Sequence, residues 1–411
     1  MMCLGCNILK RLLVFLICFA MILPFGVNAE RAVTVSSECS LEDIDIPLDT
    51  ETVSATIGQT LDIKAKSAIL IEPNTGTVLY ESNADERLSP ASITKVMSLL
   101  LVMEALDRGD ITLETVVSAS EHACSMGGSQ IWLEPGEGMT VDELLKATVI
   151  ASANDACVAL GELIAGSEEG FVAMMNERAK ELGMDNTTFM NCTGLDAAGH
   201  LTSAHDVAIM SGELIKHDLI KKYSTVWMDS LRDGKSELVN TNKLVRFYDG
   251  TTGLKTGTTS VAKYCLSATA ERNGLELVAV ILAGETSNDR FNGAKKLLDY
   301  GFANYSYSLL DANLSEKEAS VEKGVKDKVS IHSTGAVSVL MPKNSKDQIT
   351  RTTTWNKNIT APIKKGDVLG YVSIFVGENE VGRLEITAAE DVKRLNFLVT
   401  MGWILKGMFK L

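Results

Sequence analysis

Histidine is scarce in this chain. His122, His200, His205, His217 and His332 are the 5 in 411 residues, and no two of them form His-Glu-x-x-His or another close ligand pair. A histidine-built zinc site is thereby disfavoured. The 8 cysteines nowhere form Cys-x-x-Cys, so neither a zinc knuckle nor a disulfide framework is indicated. Positive charge is also short: 39 Lys and Arg against 53 Asp and Glu leave a formal net charge of −14, which argues against nucleic acid as a partner. Long apolar runs are missing too, since Leu12–Leu23 and the uncharged run Leu395–Leu405 are both short for a bilayer span. What the chain has in quantity is hydrophobic side chains, 45% of the total, enough for a sizeable core and two or three domains.

Residues 1–29 read as a secretory signal: Lys10 and Arg11 precede the apolar run, and Val27-Asn28-Ala29 supplies small residues for cleavage before Glu30. Three cysteines leave with that segment. Cys39, Cys124, Cys157, Cys192 and Cys265 remain, an odd number, so at least one thiol stays unpaired; most lie in apolar runs, as small core residues do. Residues 30–60 are polar and acidic and read as a leader.

From residue 61 to 308 a single domain is expected. Ser67–Glu72 and Thr77–Glu81 flank the turn Pro73-Asn74-Thr75-Gly76 as a strand pair. Apolar residues at three- and four-residue spacing then predict helices from Ser92 to about Leu106, at Val141–Ala151, Ala156–Ile164, Phe171–Leu182 and Ser203–Ile215. Strands return at Gly253–Gly257, Tyr264–Ala270 and Leu275–Ala283, and a helix near Phe291–Phe302 closes the region. That order fits an α+β fold, an antiparallel sheet assembled from both ends of the domain around a helical insert. Residues 309–389 begin as a charged linker, Leu309–Lys326, and continue as a small all-β domain with strands at Val329–Ile331, Val337–Leu340, Val368–Val376 and Gly382–Thr387. From Asp391 onward a cationic amphipathic helix is predicted: Lys393, Asn396, Thr400, Gly407 and Lys410 share one face, and apolar residues crowd the rest. Its length suits the membrane interface better than a span, and docking on its own domain is the alternative.

The centre of the reading is Pro90-Ala91-Ser92-Ile93-Thr94-Lys95. Pro90 suits a helix start, which puts Ser92 in the first turn and Lys95, three residues on, beside it. An amine in apolar surroundings sheds its proton more easily and can take the serine's. Ser-x-x-Lys alone is weak evidence, and a second copy, Ser320-Val321-Glu322-Lys323, lies in a charged segment and receives no role. Company decides the matter: Ser152-Ala153-Asn154 falls in a junction between helices, and Lys255-Thr256-Gly257 lies on a strand, in that order along the chain.

With these three motifs in place, the sequence resembles the low-molecular-weight penicillin-binding proteins, serine-type D-alanyl-D-alanine carboxypeptidases of bacterial cell-wall synthesis. The likeness extends over Ala68–Glu81, Glu86–Met97, Met126–Glu137, Asn154–Met184, Asn186–Asp206 and Asp249–Phe302, and Ala361–Thr387 resembles the β-rich domain that follows. The resemblance implies a penicillin-binding/serine β-lactamase-like fold. It also implies that Ser92 attacks the bond between two terminal D-alanines and forms an acyl-enzyme, with Lys95 as base. Ser152 would help move the proton, and Asn154 would hold peptide groups and Lys95. Lys255 and Thr256 would receive the substrate's terminal carboxylate, a sensible cationic spot in an acidic protein. The backbone N–H groups of Ser92 and Thr258 would form an oxyanion hole, with Gly257 letting the strand come close. Arg290 would stand near the carboxylate-binding end; a plain surface arginine is the other reading. No cofactor or metal is implied, β-lactams are expected as covalent inhibitors, and the C-terminal helix would attach the exported protein to the outer face of the bacterial cytoplasmic membrane. Thr258 and Thr259 stand where relatives often carry a histidine or an aromatic residue first.

Two alternatives share the constellation. A serine β-lactamase would need a deacylating glutamate on a loop after the second motif, yet residues 186–206 contain none, and Ala153 stands where the common β-lactamase form has Asp. A penicillin-binding scaffold or sensor without turnover is the other, although every motif residue needed for chemistry is present.

Overall fold

The computed structural model describes residues 61–343 and 349–408. The segments read as a secretory signal, 1–29, and as a leader, 30–60, Cys39 included, lie outside the described residues.

Five antiparallel strands form the main sheet, in the order Thr77–Ser82, Ala65–Glu72, Leu275–Gly284, Lys263–Arg272, Thr251–Thr259. The N-terminal hairpin therefore joins the C-terminal meander through pairing of Ala65–Glu72 with Leu275–Gly284, where Ile69 faces Val280. Both of these strands are buried along most of their length, as their near-continuous apolar runs require. The chain between the hairpin and the meander is the helical insert. The fold is thus the α+β arrangement expected, and the last strand, Thr251–Thr259, stands at the sheet's edge.

Two hydrophobic clusters clothe the two faces of this sheet. One gathers Ile69, Ile71, Val278, Val280 and Leu282 with the insert helices Lys95–Asp107, Val141–Ile150, Asn154–Ala165 and Ala204–Ile215. The helix Lys95–Asp107 is buried at ten positions, on every side, which is how a helix without a polar face must sit. Each such aliphatic side chain contributes about 1.5–3 kcal/mol on burial. The other cluster packs Leu70, Leu277, Ala279 and Ile281 against the helix Ser287–Asn304. That helix starts four residues before the predicted Phe291, because Thr286 and Asp289 form a capping box.

The segment read as a linker, Leu309–Lys326, is structured instead. Tyr305–Asp311 pairs with Ala336–Pro342, and Glu318–Ser320 edges a five-stranded sheet completed by Lys328–His332, Asn379–Ala388, Val368–Val376 and Ile349–Trp355. Leu310, Ala312, Ala319 and Val321 are drawn into this domain's core, and four apolar residues spaced among charges gave no readable period. The Ile349–Trp355 strand was missed for a similar reason: exposed Thr350, Thr352 and Thr354 alternate with a half-buried face that itself carries Arg351 and Thr353, so no apolar period shows.

The C-terminal helix also starts later than predicted. Residues before it belong to the β domain: Val392 is buried and pairs with Ile363, and Leu395 N donates to Lys323 O at 2.7 Å. The helix itself is Phe397–Met408, with Phe397, Leu398, Met401, Ile404, Leu405 and Met408 exposed. No helix among the described residues is long and apolar enough to cross a membrane.

Candidate active site

Ser92 lies in a 3-10 turn, Ala91–Thr94, which Pro90 opens and which runs straight into the helix Lys95–Asp107. Side chains three apart eclipse one another in 3-10 geometry. Lys95 accordingly stands over Ser92, with its Nζ 3.2 Å from Ser92 Oγ. Because the helix is buried on all sides, the lysine is fully buried with it. Its amine also donates to Asn154 Oδ1 at 2.5 Å and to the backbone oxygen of Thr193 at 2.8 Å.

Asn154 opens the helix Asn154–Ala165, two residues after Ser152. Ser152 is buried in the link that follows the helix Val141–Ile150 and takes φ +63°, a conformation that costs a non-glycine residue about 1 kcal/mol or more. The Asn154 amide is clamped: Nδ2 donates to Gly127 O at 2.6 Å, so Oδ1 is the atom left to face Lys95. Its backbone N–H donates to Ser129 O at 2.7 Å. Next to it, buried Asp155 accepts from the N–H groups of Ile131 and Leu133, and burial pushes its carboxyl above the usual range. The loop Gly127–Leu133 is thus tied to the second motif at several points.

The third motif comes from the sheet edge. Alternation along Thr251–Thr259 puts Lys255 and Gly257 on one face and Thr256 and Thr258 on the other. Gly257 lies against the Ser92 turn so closely that a Cβ there would stand 2.9 Å from both Pro90 O and Ser92 N. Lys255, on the same face two residues back, is buried, and its Nζ donates to Thr256 O at 3.0 Å. Thr256 Oγ1 bonds Thr241 Oγ1 at 2.6 Å. Arg290 is buried, which removes the surface reading; its Nη1 donates to Thr258 Oγ1 at 2.8 Å and to Gly257 O at 3.1 Å. The guanidinium braces the edge strand from behind. Thr259 Oγ1 donates to Asp196 Oδ1 at 2.8 Å, linking the strand's end to the turn beyond Gly194.

Spacing alone did not single out the turn Asn191-Cys192-Thr193-Gly194. Asn191 Oδ1 accepts from Thr193 N at 3.2 Å and Gly194 N at 2.7 Å, an Asx turn that aims the Thr193 carbonyl at Lys95. Gly194 has φ +89°, and a Cβ on it would fall 1.8 Å from Ala91 O. The available signal was the cluster of turn-forming residues. The second Ser-x-x-Lys does not form a comparable pair: Ser320 ends a strand, and Lys323 is exposed with φ +55°. Cys124, Cys157, Cys192 and Cys265 are all free thiols.

Comparison with known proteins identifies the family. A family model described as D-alanyl-D-alanine carboxypeptidase matches residues 51–286, and one described as penicillin-binding protein 5, C-terminal domain, matches residues 306–394. The chain is similar to D-alanyl-D-alanine carboxypeptidase DacF of Bacillus subtilis (strain 168), 45% identical over 348 residues that make up 82% of this chain and 90% of that one. Among solved structures, penicillin-binding protein 5 from Haemophilus influenzae matches with a TM-score of 0.65 at 30% identity, over 82% of this chain and 99% of that one. Penicillin-binding protein D2 from Listeria monocytogenes, in its ampicillin-bound form, matches with a TM-score of 0.55 at 31% identity, over 59% of this chain and 100% of that one. By sequence, fold and the arrangement of its three motifs, the chain belongs to the D-alanyl-D-alanine carboxypeptidase family of low-molecular-weight penicillin-binding proteins.

Proposed function

We propose that this protein is a serine-type carboxypeptidase that removes the terminal D-alanine from peptidoglycan stem peptides ending in D-Ala-D-Ala, and that penicillins acylate the same hydroxyl. The observation that carries the proposal is the buried Lys95 amine within hydrogen-bond reach of Ser92 Oγ, Asn154 Oδ1 and Thr193 O. Burial disfavours the charged form of an amine, the direction that general-base use requires.

In the first step Lys95 takes the Ser92 hydroxyl proton as Oγ bonds to the carbonyl carbon between the two D-alanines. The oxygen that becomes negative is received by the N–H groups of Ser92 and Thr258, a reading supported by the close approach of Gly257 to Ser92 N. The C–N bond then breaks, and the proton returns to the leaving amine through Lys95, with Ser152 assisting. Free D-alanine departs, and an ester joins the remaining peptide to Ser92. Water, deprotonated by Lys95, attacks that ester and restores the serine. Lys255 and the Thr256 hydroxyl hold the terminal carboxylate, with Arg290 supporting the strand that carries them. An extended peptide can lie along the open edge of Thr251–Thr259.

Export by residues 1–29 and attachment to the outer membrane face by Phe397–Met408 complete the proposal. Six exposed apolar side chains on that helix support interfacial binding. Labelled penicillin incubated with the purified protein is the direct test. The proposal requires a slowly hydrolysed adduct on Ser92; rapid clearance of that adduct would point to a β-lactamase, and stable labelling without D-alanine release would point to a sensor.

A further inference from the structure

His200 is almost fully buried, 2% exposed, and no step above uses it. Its two ring nitrogens have unequal partners. Met190 N donates to Nδ1 at 3.0 Å, and a backbone N–H can only donate, so Nδ1 carries no proton. The ring proton is therefore on Nε2, which lies 2.7 Å from Thr94 Oγ1. The Thr94 hydroxyl in turn donates to Ala91 O at 2.9 Å. Every link then has a fixed direction: Met190 N–H to Nδ1, Nε2–H to Thr94 Oγ1, Oγ1–H to Ala91 O. Burial keeps the imidazole neutral, its pKa lowered to about 4 against the opposing field of Asp196, so both links persist at neutral pH.

The end of this chain is mechanistically placed. Ala91 O belongs to the peptide whose other side is Ser92 N–H, and that peptide is trans. Across a planar trans peptide the C=O and N–H point in opposite directions. Holding Ala91 O therefore fixes where Ser92 N–H points. Ala91 itself has φ +48°, an unfavourable conformation for a side chain with a Cβ, so the peptide needs something to keep it there. The start of the chain, Met190, directly precedes the turn whose Thr193 carbonyl binds Lys95.

Resting on the proposed oxyanion role of Ser92 N–H, we infer that His200 is a positioning residue: acting through Thr94, it aims that N–H at the developing oxyanion and joins the Ser92 turn to the segment that cradles Lys95. Its effect is on the rate of acylation, not on peptide binding, because neither His200 nor Thr94 belongs to the surfaces that receive the substrate.

The test uses the purified full chain in detergent, with labelled-penicillin acylation rates and kcat and KM for D-alanine release. His200→Phe keeps a ring without the hydrogen bonds, His200→Gln keeps one acceptor and one donor, and Thr94→Val removes only the hydroxyl. Phe and Val variants should each lose about 10- to 100-fold in kcat and acylation rate with KM little changed, less than deletion of an oxyanion donor itself. The double variant should be no worse than the worse single, and His200→Gln should recover most of the rate. Wild-type kcat in Thr94→Val, losses that multiply in the double variant, or a Gln variant no better than Phe would overturn the relay. If His200→Phe does not fold, Thr94→Val carries the decision, since it preserves volume. Ser92→Ala separates the two levels: labelling that survives it refutes the serine reading, whereas an unlabelled Ser92→Ala beside a fully active Thr94→Val refutes the relay alone.

Discussion

Asn154 Oδ1 stands 2.5 Å from Lys95 Nζ and cannot exchange places with its own Nδ2, because Nδ2 is engaged with Gly127 O at 2.6 Å. The amine thus meets a neutral dipole of fixed orientation. In Asn154→Asp a carboxylate would take that place and favour the ammonium form. Acylation by labelled penicillin should fall by about 100-fold at neutral pH, and what remains should rise toward higher pH than in the wild type. An unchanged pH profile would show that Asn154 does not tune the base.

Ser92→Ala and Lys95→Ala should each reduce D-alanine release by about 1,000-fold or more, and the double variant should be no slower than the worse single, as groups acting in one step behave. Release is measured from a peptide ending in D-Ala-D-Ala. Normal turnover by Ser92→Ala would remove the whole mechanism.

Gly257 is fixed by backbone neighbours, not by flexible side chains: the added Cβ of Gly257→Ala would stand 2.9 Å from Pro90 O and Ser92 N. The strand or the turn must shift. A stability loss of about 1–3 kcal/mol is expected from such overpacking, together with a drop in kcat larger than any change in KM. Denaturant unfolding and steady-state kinetics check it, and an alanine variant with wild-type kcat would refute close approach as a requirement.

The buried imidazole of His200 makes stability depend on pH. Its pKa is about 4 in the fold against 6.5 in an unperturbed chain, so between these values the unfolded state binds more protons. Stability should therefore fall as the pH drops from 6.5 toward 4, by about 3 kcal/mol in all from this group. Buried Asp155 and Asp206, whose carboxyls are raised by burial, act the other way. Urea unfolding of wild type and His200→Phe across this range isolates the histidine; parallel pH slopes for the two proteins would contradict the assignment.

Truncation before Phe397 should release the protein from lipid vesicles while D-alanine release continues. The cut must spare Val392 and Leu395, which belong to the β domain. Vesicle flotation and the release assay decide the point, and undiminished vesicle binding would remove the helix as an anchor.

Sequence pattern was most informative where one period dominated. The long insert helices and the Leu275–Gly284 strand followed from apolar spacing, and the joining of the N-terminal hairpin to the C-terminal strands followed from the order of the elements. It was least informative where core residues are few and separated by charge, as at Leu310, Ala319 and Val321, which turned an expected linker into strands. Helix starts moved for a local reason, since capping hydroxyls at Thr286 and Ser167 lie ahead of the first apolar residue.

By itself the sequence determined which side chains are present in what order: a serine and a lysine one turn apart, an asparagine at a helix start, a lysine on a strand before a glycine. Those are local facts, readable because helix and strand periods are local. Only the tertiary structure decided that Thr193 O meets Lys95, that His200 reaches Ala91 through Thr94, and that Arg290 lies buried beneath Thr258. Contacts of this kind join residues about a hundred or fewer positions apart whose types are ordinary, and nothing but packing brings them within hydrogen-bond distance.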